Sequence, residues 1–422
     1  MKPEKSEDVN SIKVCMVGVF NYLTDARVKG YAEALAAAGD LVDVIGIQSH
    51  SQEESYQDFI IERGVRIFTI RVDRSRNSSF AYLLEYGFAF IFLCFRLTEK
   101  FLKNRYDVIH FHNMPDFLVF AGLIAKLLGA RIILDIHDLM PEVYMSKFPD
   151  AKNGWGVWFM RLEEKISIQF SNAVIVANAH FRSNLIKRGI SSPKITVVKN
   201  FPDPHIFNYS RYAMQSGKPL EWFTLIFPGT IAPRYGLEVA IKALPLIKGT
   251  IPNIRLLIIG RPGEYGKSLA ALAEKLDVSS SVEFRAVMPN NEIPEQLLRA
   301  DIGIYPALPD AHMSIAIPGK LLEFAAMRIP ILSSRLQIVE EMFDESAVLF
   351  FEPGNVDGFA ECVLKLYENP TLREELVRNA TQTFVQRHSG EHEIQAYWDV
   401  LRRLLPGKKL SPEINRGDLP AA

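Results

Sequence analysis

The hydrophobic residues of this chain come in short runs, each closed by a glycine, a proline or a polar cluster and followed by residues at helical spacing. Ile12–Val17 (IKVCMV) reads as a buried strand ending at Gly18, and Asp25 and Arg27 open an amphipathic helix that runs to about Ala38. Leu41–Ile47 is the next strand. Strand, turn, helix and strand in that order make the unit of a doubly wound sheet. Further strands are predicted at Val65–Arg71, Tyr106–His112, around Leu134, at Asn172–Ala177 and at Lys194–Val198, with a long helix over Phe80–Lys103. After a linker at Phe201–Pro219 the alternation starts again. Strands follow at Trp222–Pro228, Ile254–Gly260, Val282–Phe284, Asp301–Tyr305 and Ala347–Phe350, with helices at Asn290–Ala300, Asn355–Glu368 and Thr371–Arg387. The pattern predicts an α/β protein of two doubly wound Rossmann-like domains with a cleft between them. The first domain is placed at 1–205 and the second at 206–390. A last helix at 391–405 is expected to cross back to the first domain, and 406–422 to be a disordered tail.

Composition narrows the class. A chain of 422 residues, close to half of them hydrophobic, is comfortable for two cores. A formal net charge of −1 speaks against nucleic acid as a partner. Cys15, Cys94 and Cys362 lie far apart in apolar runs, as reduced thiols do, and not in a disulfide frame or zinc site. The start, MKPEKSEDVNS, lacks the apolar core of a secretory signal, and Glu85 and Arg96 interrupt Phe80–Leu97 before it is long enough to span a bilayer. A cytoplasmic protein is expected. The same helix carries Phe80, Tyr82, Phe88, Phe90, Phe92 and Phe95 ahead of Arg96, Lys100, Lys103 and Arg105. A buried core helix and a peripheral surface over residues 80–105 resting on anionic lipid both fit that pattern.

Candidate chemistry gathers at the predicted strand ends, where ligands of doubly wound sheets bind. Gly18, Gly229 and Gly260 each follow or close a strand and let a ligand approach the backbone. No GxGxxG follows the first strand, so a dinucleotide is not expected there. Gly260, Gly263 and Gly266 in GRPGEYG are expected to form a flexible, phosphate-compatible loop. YDVIHFH ends in His110 and His112, two residues apart and so on one face. LDIHDLMPE brings His137, Asp138 and Glu142 to the end of the next strand and its loop. These polar groups at adjacent strand ends could gather a metal, but no HExxH or similar spacing is present and a site in which strand histidines orient a sugar needs none, so neither metal nor cofactor is expected. In Ile317–Pro330, IPGKLLEFAAMRIP, Pro318 and Gly319 begin a helix whose free N–H groups, with Lys320, make a pocket for a diphosphate. Glu323 follows one turn later on nearly the same face. A carboxylate there can accept from the vicinal hydroxyls of a ribose, although a surface Lys–Glu pair fits the spacing equally well.

The run PxKxxEFxAxxxPIL at Pro318–Leu332, with DVIHFHN at Asp107–Asn113 and VVKNFPD at Val197–Asp203, resembles the retaining glycosyltransferases of family 4. Their architecture, GT-B, sets two nucleotide-binding-like domains facing across a cleft. The likeness covers about residues 12–405, with several motifs in the right order. It implies that Glu323 holds the nucleotide ribose, that His112 faces the donor sugar's hydroxyls, and that Val287 or Met288 in the Arg285–Pro289 loop lies against the base. Two departures stand out. The family's second Glu, eight residues before Glu323, is Ile315 here; the Arg and Lys that usually hold the diphosphate are Thr230 and Tyr235, which leaves Arg234 as the replacement cation.

The resemblance further implies a donor on the second domain, an acceptor on the first, retention of configuration, and a leaving diphosphate that itself helps to accept the acceptor's proton. Lys320, Arg234 and His112 are therefore assigned to the reaction, and Asp25, Arg27, His137, Asp138 and Glu142 to the acceptor or sugar side. The expected activity is transfer of a hexose from a nucleotide sugar, UDP-linked, to a glycan or lipid-linked acceptor in cell-surface polysaccharide synthesis. A nucleotide-sugar epimerase of the same fold and a non-catalytic nucleotide-sugar-binding protein are the alternatives. Transfer of label to an acceptor separates the first from both.

Overall fold

The computed structural model describes residues 11–49, 59–72, 79–148, 154–213, 221–408 and 410. The expected tail beyond 410 and the polar start before Ser11 lie outside the described residues. The chain divides into two compact units, one made of the residues up to Lys199 with those from Glu391, the other of Asn200–Gly390.

The first unit is built on β1 (Lys13–Gly18), β2 (Leu41–Ser49), β3 (Phe59–Glu62), β4 (Val65–Val72), β5 (Val108–His112), β6 (Arg131–Ile136), β7 (Ala173–Val176) and β8 (Ile195–Val197). Their order is β3-β4-β2-β1-β5-β6-β7-β8, parallel except for β3, which pairs antiparallel with β4. β5 and β7 are buried at every residue, as strands of a sheet covered on both faces must be. Val14, Met16 and Val17 of β1 are fully enclosed, and each such side chain contributes about 1.5–3 kcal/mol. The helices are α1 (Ala26–Ala37), α2 (Ser79–Asn104), α3 (Leu123–Leu127), α4 (Met140–Lys147), α5 (Trp155–Phe170) and α6 (Ala179–Lys187). The chain steps one way across the sheet from β1 to β2 and the other way from β4 through β5, β6, β7 and β8. Right-handed crossovers therefore put α1 on one face and α2, α3, α5 and α6 on the other.

Register then sets the site. Gly18 pairs with His112 and His112 with Asp135, so three strand ends present these residues in one row. The strand order reverses at β1, which is where ligands of open α/β sheets lie.

The second unit holds β9 (Phe223–Pro228), β10 (Ile254–Ile259), β11 (Val282–Arg285), β12 (Ile302–Tyr305), β13 (Ile331–Ser334) and β14 (Leu349–Phe351) in the parallel order β11-β10-β9-β12-β13-β14. Its helices are α7 (Tyr209–Tyr212), α8 (Leu237–Lys248), α9 (Gly263–Lys275), α10 (Ile293–Leu298), α11 (Gly319–Ala326), α12 (Gln337–Met342), α13 (Val356–Glu368) and α14 (Pro370–Arg387). Asn355 and Asn369 cap α13 and α14 by accepting from Gly358 N and Leu372 N. The stretch expected to be a linker is not a free connection. Phe207 and Tyr212 are buried in the core of the second unit.

The last helix, α15 (Gly390–Leu404), does return to the first unit, as expected. Tyr397 stacks on Tyr31 of α1 at 4.3 Å between centroids, and Glu393 accepts a hydrogen bond from Lys199 N at 2.6 Å. Among the described residues no helix is long and apolar enough to cross a membrane.

The long helix α2 is partly core and partly surface. Leu93, Leu97 and Phe101 are buried, whereas Phe92 and Phe95 are exposed, Phe95 by 71 %. Phe90 packs edge-on to Phe117. The side chains of Phe80, Tyr82 and Phe88 lie outside the described residues. The cations expected to trail this helix are mostly engaged: Arg96 and Lys103 both pair with Glu99, and Lys100 turns onto the ring of Phe68 at 3.4 Å.

Candidate active site

In the second unit a cavity of about 500 Å³ opens at the carboxyl ends of β9 and β10. It is lined by the turn after β9 (Gly229, Thr230, Ile231), by Gly260 and Arg261 after β10, by Val287, Met288, Asn290 and Ile293, and by Lys320 and Glu323 of α11. The turns pack so closely that glycine is obligatory. A Cβ on Gly260 would stand 2.1 Å from Gly229 O, and Gly229 itself has φ +126°, which side chains rarely adopt. A Cβ on Gly229 would also meet the Lys320 ammonium at 3.4 Å. Backbone, lysine and cavity thus come together at one point.

Lys320 lies over three rings, with Nζ 4.1 Å from the Phe227 centroid, 4.3 Å from that of Tyr235 and 5.4 Å from that of Tyr305. The rings stabilise the cation through their faces but offer no hydrogen-bond acceptor there. The side chains of Lys320 and Glu323 make no hydrogen bond or ion pair with another described residue. Burial pushes the Lys320 ammonium down to about 7, with Glu323 opposing and Arg234 adding to the shift. Burial likewise pushes the Glu323 carboxyl up to about 7, partly offset by Lys320. A lysine and a glutamate without partners, both facing a cavity, are poised for a ligand that brings its own anion and its own donors.

Arg234 sits in the turn Pro233–Tyr235, outside the cavity lining, with a buried Nε that has no hydrogen-bond partner among the described residues. Pro318 and Gly319 do not line the cavity either. Pro318 is the N-cap residue of α11, so the two set where that helix begins. The expected glycine loop after β10 is shorter than the sequence indicates, because α9 starts at Gly263 and Gly266 lies within its first turn. Arg261, Asn290 and Ile293 were not anticipated. Arg261 follows Gly260 directly, so its position beside a strand-end glycine was the signal available.

In the first unit the strand ends carry a buried polar cluster. Arg27 donates from Nε and Nη2 to the two oxygens of Asp135, at 2.8 and 2.7 Å, and from Nη1 to Val198 O at 2.6 Å. Burial alone would raise the Asp135 carboxyl, but Arg27, His137 and hydrogen bonds from the histidines hold it well below the usual range. Around it stand His110, His112 and His137, with ring nitrogens 3.7, 3.4 and 3.5 Å from Asp135 Oδ2. Burial keeps His112 neutral, reinforced by His110, whereas Asp135 outweighs burial at His137 and raises it. His112 Nδ1 and His137 Nε2 stand 3.0 Å apart, within hydrogen-bond distance, and His112 Nε2 has no hydrogen-bond partner among the described residues. Tyr397 contacts His110 Nδ1 at 3.1 Å from the far side. His110, His112 and Asp135 have ligand atoms close enough to gather a metal ion. Arg27 already occupies both carboxylate oxygens, however, and its guanidinium would repel a cation.

Several residues expected at this site are engaged within the protein. Arg27 is committed to Asp135 and 3 % exposed, so it is a support for the cluster and not a hand for the acceptor. Asp25 caps α1 by accepting from Val28 N at 3.0 Å. Glu142 is buried against Arg188 and Asn184. Gly18 is enclosed: a Cβ there would meet the Phe20 ring at 2.6 Å and His112 O at 2.9 Å, so its bareness admits Phe20 and leaves no opening for a donor. His112 is 1 % exposed, with Phe20 edge-on to its ring; His137, with 20 % of its side chain exposed, is the member of the cluster at the surface. Asp138 stands beside it, half-buried, its carbonyl accepting from Asn113 Nδ2 at 2.7 Å.

Two family models match in tandem, Glycosyl transferase 4-like domain over residues 24–200 and Glycosyl transferases group 1 over residues 210–383. The chain belongs to the glycosyltransferases of the GT-B fold, family-4 type. It is 26 % identical to the glycogen synthase of Mycobacterium tuberculosis over 365 residues, 83 % of each chain. It is 21 % identical to the D-inositol 3-phosphate glycosyltransferase of Arthrobacter sp. (strain FB24), covering 84 % of this chain and 83 % of that one. Among solved structures, sucrose-phosphate synthase from Thermosynechococcus elongatus superposes with a TM-score of 0.73 at 16 % identity over 93 % of this chain and 99 % of the other. Anabaena HepE, solved in complex with UDP, gives 0.64 at 14 % identity over 93 % and 100 %.

Proposed function

We propose that this glycosyltransferase moves a hexose from a UDP-linked donor to a glycan or lipid-linked acceptor, with retention of configuration, in the building of a cell-surface polysaccharide. The observation that carries the proposal is the unpartnered Lys320–Glu323 pair on the cavity wall beside Gly229. A nucleoside diphosphate supplies what each lacks. Its phosphates neutralise the Lys320 ammonium, and its ribose hydroxyls donate to the Glu323 carboxylate. Val287 and Met288, with Ile293, offer apolar contact to a base. Uracil is favoured over guanine because Anabaena HepE, a structural neighbour, was solved with UDP; relatives from Corynebacterium glutamicum and Mycolicibacterium smegmatis are GDP-mannose-dependent, so guanine is the competitor to test.

In this mechanism charge grows on the leaving diphosphate as the glycosidic bond breaks, and Lys320, with Arg234 close behind, stabilises it more in the transition state than in the ground state. A phosphate oxygen takes the acceptor's proton, so neither a protein base nor a metal is needed. His137 offers its exposed edge to a sugar hydroxyl, and His112 positions it from behind. The enzyme works on the cytoplasmic side, and the exposed rings Phe92 and Phe95 of α2 bring it to a lipid-linked acceptor.

The test is a thermal-shift screen of UDP and GDP sugars followed by transfer of radiolabel. A UDP sugar should raise the melting temperature most and pass its label to an extracted glycolipid or glycan. Absence of a shift with every nucleotide sugar would remove the donor assignment. Conversion of the sugar without transfer would point to the epimerase alternative.

A further inference from the structure

Helix α5 is apolar on its outward side as well as on its inward side, where Val157 and Ile168 are buried. Glu164 and Ser167 face inward and are buried, Glu164 accepting from Arg188 at 2.8 and 2.7 Å. Trp155, Trp158, Phe159, Leu162 and Ile166 face outward, Trp155 with 84 % and Trp158 with 66 % of its surface exposed. Their spacing of three and four places them in one stripe along the helix. Single exposed apolar residues are ordinary, but a continuous stripe headed by two tryptophans marks an interaction surface. The stripe continues past α5. Phe170 at its end meets Phe120 edge-on at 5.2 Å, and α3, on the same face of the sheet, exposes Leu123 and Leu127.

Charge decides what covers it. Arg161 and Lys165 are exposed beside the stripe and make no ion pair with another described residue. Lys126 of α3 adds a third cation, which lies over the Phe170 ring and donates to Phe170 O. The acids of α5 do not answer them, since Glu163 accepts from Ser167 and Glu164 is taken by Arg188. A second copy of the same face would set these cations against one another. Anionic headgroups would neutralise them while the tryptophans settle at the level of the headgroups. We propose that α5, continued by α3, is a docking face for an anionic lipid surface. The inference deepens the lipid-linked acceptor reading above, on which its biological sense rests, but it stands on a different helix from α2 and can fail separately.

Flotation of the full chain with vesicles tests it, using phosphatidylcholine alone and phosphatidylcholine mixed with phosphatidylglycerol. The protein should float with the anionic vesicles, and its tryptophan emission should shift to the blue. Trp155→Ser/Trp158→Ser and Arg161→Glu/Lys165→Glu should each weaken vesicle binding by about tenfold or more, with unchanged melting because these side chains are exposed. If those variants float like the wild type while Phe92→Ser/Phe95→Ser does not, α2 alone carries attachment and the α5 proposal is overturned. A wild-type protein that ignores both vesicles overturns both membrane readings, and label transfer to a soluble acceptor would then leave the glycosyltransferase reading intact. A concentration-dependent dimer lost in the α5 variants, without vesicle binding, assigns the face to a second copy and also overturns the proposal.

Discussion

Replacing Glu323 by alanine isolates the one interaction that separates a nucleotide site from an ordinary charged surface. The carboxylate accepts nothing from the described protein, so its removal strips hydrogen bonds from the ligand alone. Each hydroxyl-to-carboxylate bond is worth about 1.5–3 kcal/mol. With the Glu323 carboxyl raised to about 7, roughly half the sites are protonated at neutral pH, which takes back only about 0.4 kcal/mol. Loss of both bonds, which are not independent, therefore costs about 2–4 kcal/mol, a factor of about 30–1000 in Kd. Calorimetric titration with UDP measures it, and 2′-deoxy and 3′-deoxy UDP should lose correspondingly less in the variant than in the wild type. Stability moves the other way. Because burial raises this carboxyl from 4.5 to about 7, the folded chain holds a proton across that window that the unfolded chain has released. Stability contributed by this group thus falls as pH rises to about 7, and Glu323→Ala should melt no lower than the wild type at pH above it. An unchanged affinity for UDP in a well-folded variant would refute the assignment.

Nucleotide affinity should peak near neutral pH: Glu323 loses its charge below about 7 and Lys320 loses its own above about 7. Lys320→Arg, which stays charged, should abolish only the alkaline decline, and a flat wild-type Kd profile would contradict the pairing. Lys320→Ala should lower kcat as well as raise KM; a normal kcat would mean that the ammonium binds the ground state and transition state equally. Asp135→Asn leaves the buried Arg27 guanidinium without its carboxylate and should cost about 3–5 kcal/mol in urea unfolding. The double change Arg27→Met/Asp135→Leu should cost clearly less, and equal losses would show that the pair matters only through packing.

Much of the fold was legible because parallel strands buried on both faces are largely apolar runs, as IKVCMV is apart from Lys13 and YDVIHFH apart from Asp107 and its two histidines. The cavity of the second unit was legible for a related reason. Lys320 and Glu323 lie within one helix turn, and Gly229 and Gly260 directly follow strands, so local sequence carries their geometry. The polar cluster of the first unit was not. Arg27 and Asp135 are 108 positions apart, and nothing in either neighbourhood announces the other. Asp25 and Glu142 were read as substrate-facing because acids beside a strand end look alike whether they cap a helix, pair with an arginine or meet a sugar. Gly263 and Gly266 were read as loop, since helix propensity counts glycine as a breaker, yet α9 begins at Gly263. Helix α5 escaped because its outward face is as apolar as a core face, so periodicity could not tell which side was in.

The return of α15 to the first unit has a consequence for the order in which the protein is made. The strands and helices of the second unit lie within Asn200–Gly390, whereas α15, the closing helix of the first unit, comes after all of them. While synthesis proceeds, the faces of Tyr31 and His110 that Tyr397 will cover have no ring against them. The second unit can therefore complete its core before the first receives α15. A chain truncated just after Gly390 would keep the residues that line the cavity and lack the ring that covers Tyr31 and His110.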